Sequence, residues 1–332
     1  MRARAQIAAF LFAFGFAHGD VTTFPVKPSE TDPNIHTFDF LNWVYINRDI
    51  VVDHHWDLPA DRRQLLLWLT GTGGEGHDAQ GFSNLAANLG YHVITLAYPD
   101  SIPASICDVD PDPDNFEKFR MAIIQGGEAH RGNGRVLISV ERPESIENRL
   151  IKILQRLQQL RPRENWGQFL NEDGSIKWES IAVAGQSQGG GHAALIGIKH
   201  SVARVICFGA PKDYSVRFNA PANWYKDRSA TPKDRFFAFN HTQDPMGCTP
   251  EQLFENLLSL GLGWLGQRVD VTTTPFPFDH SHILYTSYPA VSIVSPGDSE
   301  ARRAHGAAVN TRNAEKWEKV WTYLLTEGDS AN

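Results

Sequence analysis

Cysteine is scarce in this chain, with three among 332 residues: Cys107, Cys207 and Cys248. So few thiols exclude a disulfide-built scaffold, and the odd count leaves at least one sulfur unpaired. Cys207 sits in the apolar run Val205–Phe208 and reads as a buried thiol. Cys107 and Cys248 lie in irregular, proline-containing segments and are expected to pair. Blocks of like charge are also missing. The 31 basic and 38 acidic residues give a formal charge of −7, spread along the chain, which argues against a nucleic-acid partner. No apolar run reaches the ~20 residues that a bilayer-spanning helix needs. The run Ile7–Ala17 stops at eleven, so stable membrane insertion is not expected. With basic Arg2 and Arg4 before it and small residues at Ala17 and Gly19 after it, this run reads as a signal peptide. Residues 1–19 would be removed before Asp20 and the rest exported as a secreted protein. Neither an internal repeat nor a Gly/Ser linker divides residues 20–332, so one domain is expected there, large enough to bury a core without metals.

Beyond residue 60, short apolar runs alternate with helical patterns, the signature of an α/β fold with a mainly parallel sheet covered on both faces. Trp43–Val52, broken by Asn47-Arg48-Asp49, reads as a hairpin leading in. Strands are expected over Gln64–Leu69, His92–Ala97, Ile181–Ala184, Ala203–Phe208, Arg235–Asn240 and Val269–Thr274. Phe82, Leu85, Ala86 and Leu89 share one helix face, as do Ile146, Leu150, Ile153, Leu154 and Leu157. Trp317, Val320, Trp321 and Leu324 mark a closing helix. Two stretches, 101–145 and 210–232, fit this rhythm poorly and read as insertions, which in compact domains usually cover or serve a site.

The most informative stretch is Gly185-Gln186-Ser187-Gln188-Gly189, between the apolar run 181–184 and the helical pattern Ala193–Ile196. A serine on a sharp strand-to-helix turn is presented at the carboxyl edge of a sheet, and glycines on either side suit so tight a turn. A serine hydroxyl needs a base to take its proton and an acid to orient that base. In this arrangement the acid and the histidine follow the serine in chain order. Asp244, after the Phe237–Asn240 run and before Pro245, is a candidate acid; Asp279-His280-Ser281-His282 is a candidate base loop.

On these residues, with Leu69-Thr70-Gly71-Thr72-Gly73-Gly74 upstream, the chain resembles the α/β-hydrolase superfamily over roughly residues 40–325. The sequence Gly-Gln-Ser-Gln-Gly-Gly-Gly-His-Ala at 185–193 resembles an exported branch of it. The resemblance implies an α/β-hydrolase fold with cap-like insertions, Ser187 as nucleophile, Asp244 as acid and His282 as base. No cofactor and no metal are expected, and the resemblance carries no substrate.

Competitors stand beside each position. Asp213 follows an earlier strand; His280 lies two residues from His282, which is preferred because Ile283-Leu284 would anchor it. His192 reads as a packed helix residue, and His241 and His305 as surface or loop residues. Backbone N–H groups of Gln188 and Thr72 are the expected oxyanion donors. Gly71–Gly76 also matches G-x-G-x-x-G with Asp100 downstream, a nicotinamide-dependent oxidoreductase pattern, but Glu75–Asp78 delays the helix that should meet a pyrophosphate. Asp108, Asp110, Asp112 and Asp114 suggest calcium, yet Pro113 and Phe119 stand where an EF-hand loop needs Gly and Glu. Asn240 opens a glycosylation sequon but ends a core strand, so it is expected to stay unmodified. Tyr214, Phe218, Trp224 and Tyr225 with Phe276 and Phe278 are expected to wall the cleft for an acyl or aromatic group. The reading is a secreted serine hydrolase acting on small-molecule or polymeric esters; a catalytically silent binding protein of the same fold is the alternative.

Overall fold

The computed structural model describes residues 20–289 and 299–329; the expected signal peptide, residues 1–19, lies outside them. The chain begins with β1 (Val21–Val26), α1 (Pro28–Thr31), β2 (Asn42–Asn47) and the single turn α2 (Arg48–Val51). The expected hairpin over Trp43–Val52 does not form. The Asn47 side chain accepts from the N–H groups of Asp49 and Ile50 and so caps a helical turn where the return strand was expected. β2 pairs instead with β1, antiparallel.

Next come β3 (Leu65–Leu69), α3 (Gln80–Asn88), β4 (His92–Leu96), α4 (Asn115–Gln125), the hairpin β5 (Gly127–His130) and β6 (Val136–Val140), and α5 (Ile146–Leu160). They are followed by β7 (Ile181–Gln186), α6 (Gln188–Lys199), β8 (Arg204–Phe208), and the two-residue strands β9 (Tyr214–Ser215) and β10 (Ala220–Pro221). The last elements are β11 (Phe236–His241), α7 (Pro250–Ser259), β12 (Val269–Asp270), β13 (Ile283–Thr286), α8 (Glu300–Gly306) and α9 (Ala314–Thr326). The strand expected over Val269–Thr274 is therefore only two residues long. The insertion 101–145 holds α4 and the β5–β6 hairpin, and 210–232 is mostly irregular.

Nine strands form one sheet in the order β1-β2-β4-β3-β7-β8-β11-β13-β12. Only β2 runs against its neighbours; the sheet is otherwise parallel. Side chains alternate across it as the pleat requires. Leu65, Leu67 and Leu69 enter one core with α4, α5 and α6, whereas Leu66 and Trp68 enter the other with α3 and α9. Both faces are covered, which explains why the parallel strands are continuously apolar rather than alternating. α5 buries Ile146, Leu150, Ile153, Leu154 and Leu157 as one stripe and is capped by Ser145, whose side chain accepts from Asn148 N–H.

From β3 the chain turns to β4 on one side, and β7 later takes the place on β3's other side, with Leu69 opposite Gly185. Strand order thus reverses between β3 and β7. In open parallel sheets the crevice beyond the carboxyl ends of such neighbours is where ligands bind. Ser187 and the loop after Leu69 both lie there.

Candidate active site

Ser187 links β7 to α6 with φ 55° and ψ −117°, a left-handed conformation that a non-glycine residue adopts only under constraint. Its N–H donates to Phe208 O at 2.8 Å and its carbonyl accepts from Gly191 N–H at 3.1 Å, so both sides of the turn are fixed. The flanking glycines are required by close approach. A Cβ on Gly185 would lie 2.4 Å from the Gly189 carbonyl carbon, and one on Gly189 would lie 2.1 Å from Leu69 O. This places β3, β7 and the first turn of α6 in backbone contact beneath the serine.

The acid and base positions separate in the structure. Asp244 follows β11, is almost fully buried, and its Oδ2 accepts from a histidine, but that histidine is His305. The Nδ1–Oδ2 distance is 2.7 Å, and His305 lines the same cleft as Ser187, Thr72 and Gln188. His282 lies elsewhere. Its Nδ1 donates to Phe236 O at 2.8 Å, at the first residue of β11, while Asp244 lies beyond the last. At ~3.3 Å per residue the five steps from Phe236 to His241 put roughly 16 Å between the two ends. The reason is visible in β13: the apolar Ile283-Leu284, expected to anchor a base loop, begins a strand, so His282 enters it from the amino edge. His280 is also remote from the cleft, paired through Nδ1 with Glu327 at 2.6 Å.

His305 was expected to be a surface or loop residue. It sits on α8, beyond β13, and its side chain is only 10% exposed. Trp317 and Trp321 of α9 donate their indole N–H groups to Ala307 O and Ala308 O at 2.7 and 2.9 Å, pinning the segment just beyond it. Gln186 Nε2 donates to His305 O at 3.3 Å, a tie from β7 itself. Chain order alone was the available signal, since His305 also follows Asp244.

Burial by itself would raise the Asp244 pKa. The hydrogen bond and charge of His305, followed by the Lys212 ammonium, outweigh it and hold the carboxyl below its ordinary range. Lys212 Nζ stands 2.9 Å from the same Oδ2. Asp213 is engaged differently: Arg120 grips it through Nε and Nη2 at 2.7 and 2.6 Å, and Trp224 Nε1 donates to it at 2.9 Å. Arg120 Nη1 also donates to Gln188 O at 2.9 Å, so this buried pair braces the first turn of α6. His192 is fully buried, edge-on to Tyr98, and burial with the Arg120 charge drives its pKa well down, leaving a neutral ring. His241 Nε2 bonds Tyr288 O at 3.0 Å.

The expected oxyanion donors stand beside each other. Thr72 Oγ1 donates to Gln188 Oε1 at 3.0 Å, and Ala104 N–H donates to the same oxygen at 2.9 Å. Among the described residues, no group accepts from the backbone N–H of Thr72 or of Gln188. Asp100, the residue a dinucleotide would need, is buried instead, with Oδ2 accepting from Thr70 Oγ1 at 3.3 Å and its carbonyl from Gly73 N–H at 3.3 Å. It clamps the loop that carries Thr72.

The cleft of about 720 Å³ is not walled by the expected aromatics. Trp224 and Tyr225 are buried against each other at 4.0 Å, and Tyr225 Oη accepts from Asp213 N–H. Phe276 and Phe278 pack on Tyr323, toward the His282 side. Tyr214 and Phe218 do not line it either; Tyr214 packs with Leu253. Charged groups reach the cleft instead, among them Glu75, Asp78, Lys212, Arg302 and Arg303. The expected cysteine pair is absent: all three thiols are free and buried. Cys107 donates to Asn115 O at 3.5 Å, while Cys248 belongs to a separate cluster with Tyr214 and Leu253. Burial pushes the Cys207 and Cys248 thiols up to about 12, which makes them poor nucleophiles. Asn240 is fully buried, with Oδ1 accepting from Ala210 N–H at 3.1 Å. Among the described residues, no helix is long and apolar enough to cross a membrane.

In comparisons with protein-family models and with curated proteins, the sequence matches none of them.

Proposed function

We propose that this chain is an exported serine hydrolase of α/β-hydrolase fold that cleaves carboxylic esters through an acyl-enzyme. One observation carries the reading: His305, hydrogen-bonded to the buried Asp244, lines the cleft in which Ser187 is held with left-handed φ at the strand-to-helix turn. The order Ser, Asp, His along the chain supports the same fold.

In this reaction Asp244 holds His305 through Nδ1, which leaves Nε2 as the nitrogen that exchanges protons with the cleft. His305 takes the Ser187 proton as Oγ bonds to the ester carbonyl carbon, and the carbonyl oxygen becomes an oxyanion. The N–H groups of Thr72 and Gln188 stabilise that charge. The intermediate collapses, the C–O bond to the alcohol breaks, and His305 gives the alcohol its proton. Water, deprotonated by His305, then attacks the acyl carbon and frees Ser187. The charged walls favour a polar ester with a short acyl group over a long-chain lipid.

The test is labelling by a fluorophosphonate probe together with turnover of p-nitrophenyl acetate. Ser187→Ala should lose labelling and reduce kcat by ~10⁴-fold or more. A wild-type protein that folds but neither labels nor turns over any ester of a panel varying in acyl length would leave a binding protein as the better reading.

A further inference from the structure

A serine hydrolase site needs only an acid behind its histidine; here a cation stands on that acid as well. Lys212 Nζ is 2.9 Å from Asp244 Oδ2, the same oxygen that takes His305 Nδ1–H at 2.7 Å. Lys212 is not a surface side chain swinging past: it is 9% exposed, and Nζ also donates to Met246 O at 2.5 Å, on the loop that carries Asp244. The other Asp244 oxygen, Oδ1, accepts from Met246 N–H at 3.0 Å. Three donors thus hold the carboxylate, and Lys212 and His305 share one oxygen from opposite elements, the loop after β8 and α8.

We infer that Lys212 is a positioning residue that acts through Asp244, partly cancelling its charge so that the His305 ring stays unprotonated, and ready to accept the serine proton, to lower pH. This rests on the hydrolase reading above. An aspartate stabilises the imidazolium facing it, and a buried ammonium on the same oxygen opposes that stabilisation. Two groups bonded to one atom lie within the ~4–6 Å over which a charge moves a neighbour's ionisation by about one unit.

Other charges face this cluster too. Arg302 and Arg303 lie on His305's own helix, Glu75 and Asp78 lie across the cleft, and the Arg120–Asp213 pair lies beneath. The Cys248 thiol also senses Lys212 and Asp244, and the Tyr285 phenol senses Asp244; burial keeps both protonated across the working range. Arg120 and Asp213 offset each other at 2.6 Å, and the remaining four are two of each sign. Lys212 is the cation in contact with the acid.

The experiment compares wild type, Lys212→Gln, Lys212→Met and Lys212→Arg. Gln keeps a hydrogen-bond donor and drops the charge, which guards against a Met variant that does not fold. The His305 ring is titrated by NMR, and kcat/KM for p-nitrophenyl acetate is followed from pH 4 to 9. Expected is a rise of about one pH unit in both the ring titration and the acid limb for Gln and Met, with wild-type values for Arg. A uniform loss of kcat with neither midpoint moved would make Lys212 structural only and overturn the inference. So would a rise in KM alone, the mark of a substrate contact. Because the ring titration needs no turnover, failure of the hydrolase reading and failure of this one are read separately.

Discussion

At the scale of single residues, the two histidines make opposite predictions. His305→Gln removes the ring bonded to Asp244 and should lower kcat for a short ester by ~10⁴-fold or more, with the melting temperature nearly unchanged. His282→Gln removes a hydrogen bond to Phe236 O at the amino edge of the sheet. It should cost about 1 kcal/mol of stability in denaturant unfolding and leave kcat intact. A dead His282→Gln protein beside an active His305→Gln protein would reverse the assignment of the base. Ser187 was legible in the sequence because everything that holds it is local: one strand, one helix and two glycines within five residues. Asp244 was legible for a similar reason, as a strand followed by a turn and a proline. The histidine bonded to Asp244 was not, since His305 meets it only through packing of α8 against loops far earlier in the chain, and a periodicity argument sees none of that. His282 was expected beside Asp244 because Ile283-Leu284 was read as an anchor after a loop, when that pair begins the strand itself.

Among elements, the buried Arg120–Asp213 pair joins three of them. Arg120 is on α4, Asp213 is on the loop after β8, and the third contact, Gln188 O, is the first residue of α6. A Cβ on Gly191 would collide with the Arg120 guanidinium at 2.2 Å, so α6 is shaped around this side chain. Replacing one partner strands the other charge in the core, a loss of ~3–5 kcal/mol where such pairs have been broken. Arg120→Met should therefore destabilise by that amount in urea unfolding, and at 25 °C should also weaken fluorophosphonate labelling of the molecules still folded, because the Gln188 turn loses its brace. Arg120→Met with wild-type stability would mean that the pair holds nothing. The main strands and long helices could be read from sequence because each buries its own stripe. The wall of the cleft could not: Trp224 and Tyr225 look like cleft aromatics in a polar segment, yet they bury themselves over Asp213, whose carboxylate accepts from the Trp224 indole N–H and whose backbone N–H donates to the Tyr225 oxygen inside the core.

For the molecule as a whole, acid stability follows from which buried groups must change their protonation on unfolding. Burial raises Asp100 to about 6 and, with the Asp213 charge, Asp108 to about 7. The folded chain therefore binds protons at these two sites that the unfolded chain, titrating near 4, does not, and stability gains as pH falls toward 4. Burial lowers His92, His192 and His282, in His192 helped by the Arg120 charge. These are protonated in the unfolded chain below ~6.5 and take up protons less readily in the folded one, so stability is lost as pH falls. Between pH 6.5 and 4 the three histidines and the two aspartates pull in opposite directions. Below pH 4 the lowered carboxyls of Asp244 and Glu144 act in the same direction as the histidines, their stabilisation vanishing as they protonate. The melting temperature should fall as pH drops below 4. His192→Phe, which replaces a fully buried neutral ring, removes one of the three and should raise the melting temperature at pH 4–6 relative to that at pH 7, compared with wild type. Asp100→Asn and Asp108→Asn together should shift that difference the other way, toward loss on acidification. If His192→Phe leaves the pH dependence of melting unchanged, the histidines are not what the acid acts on.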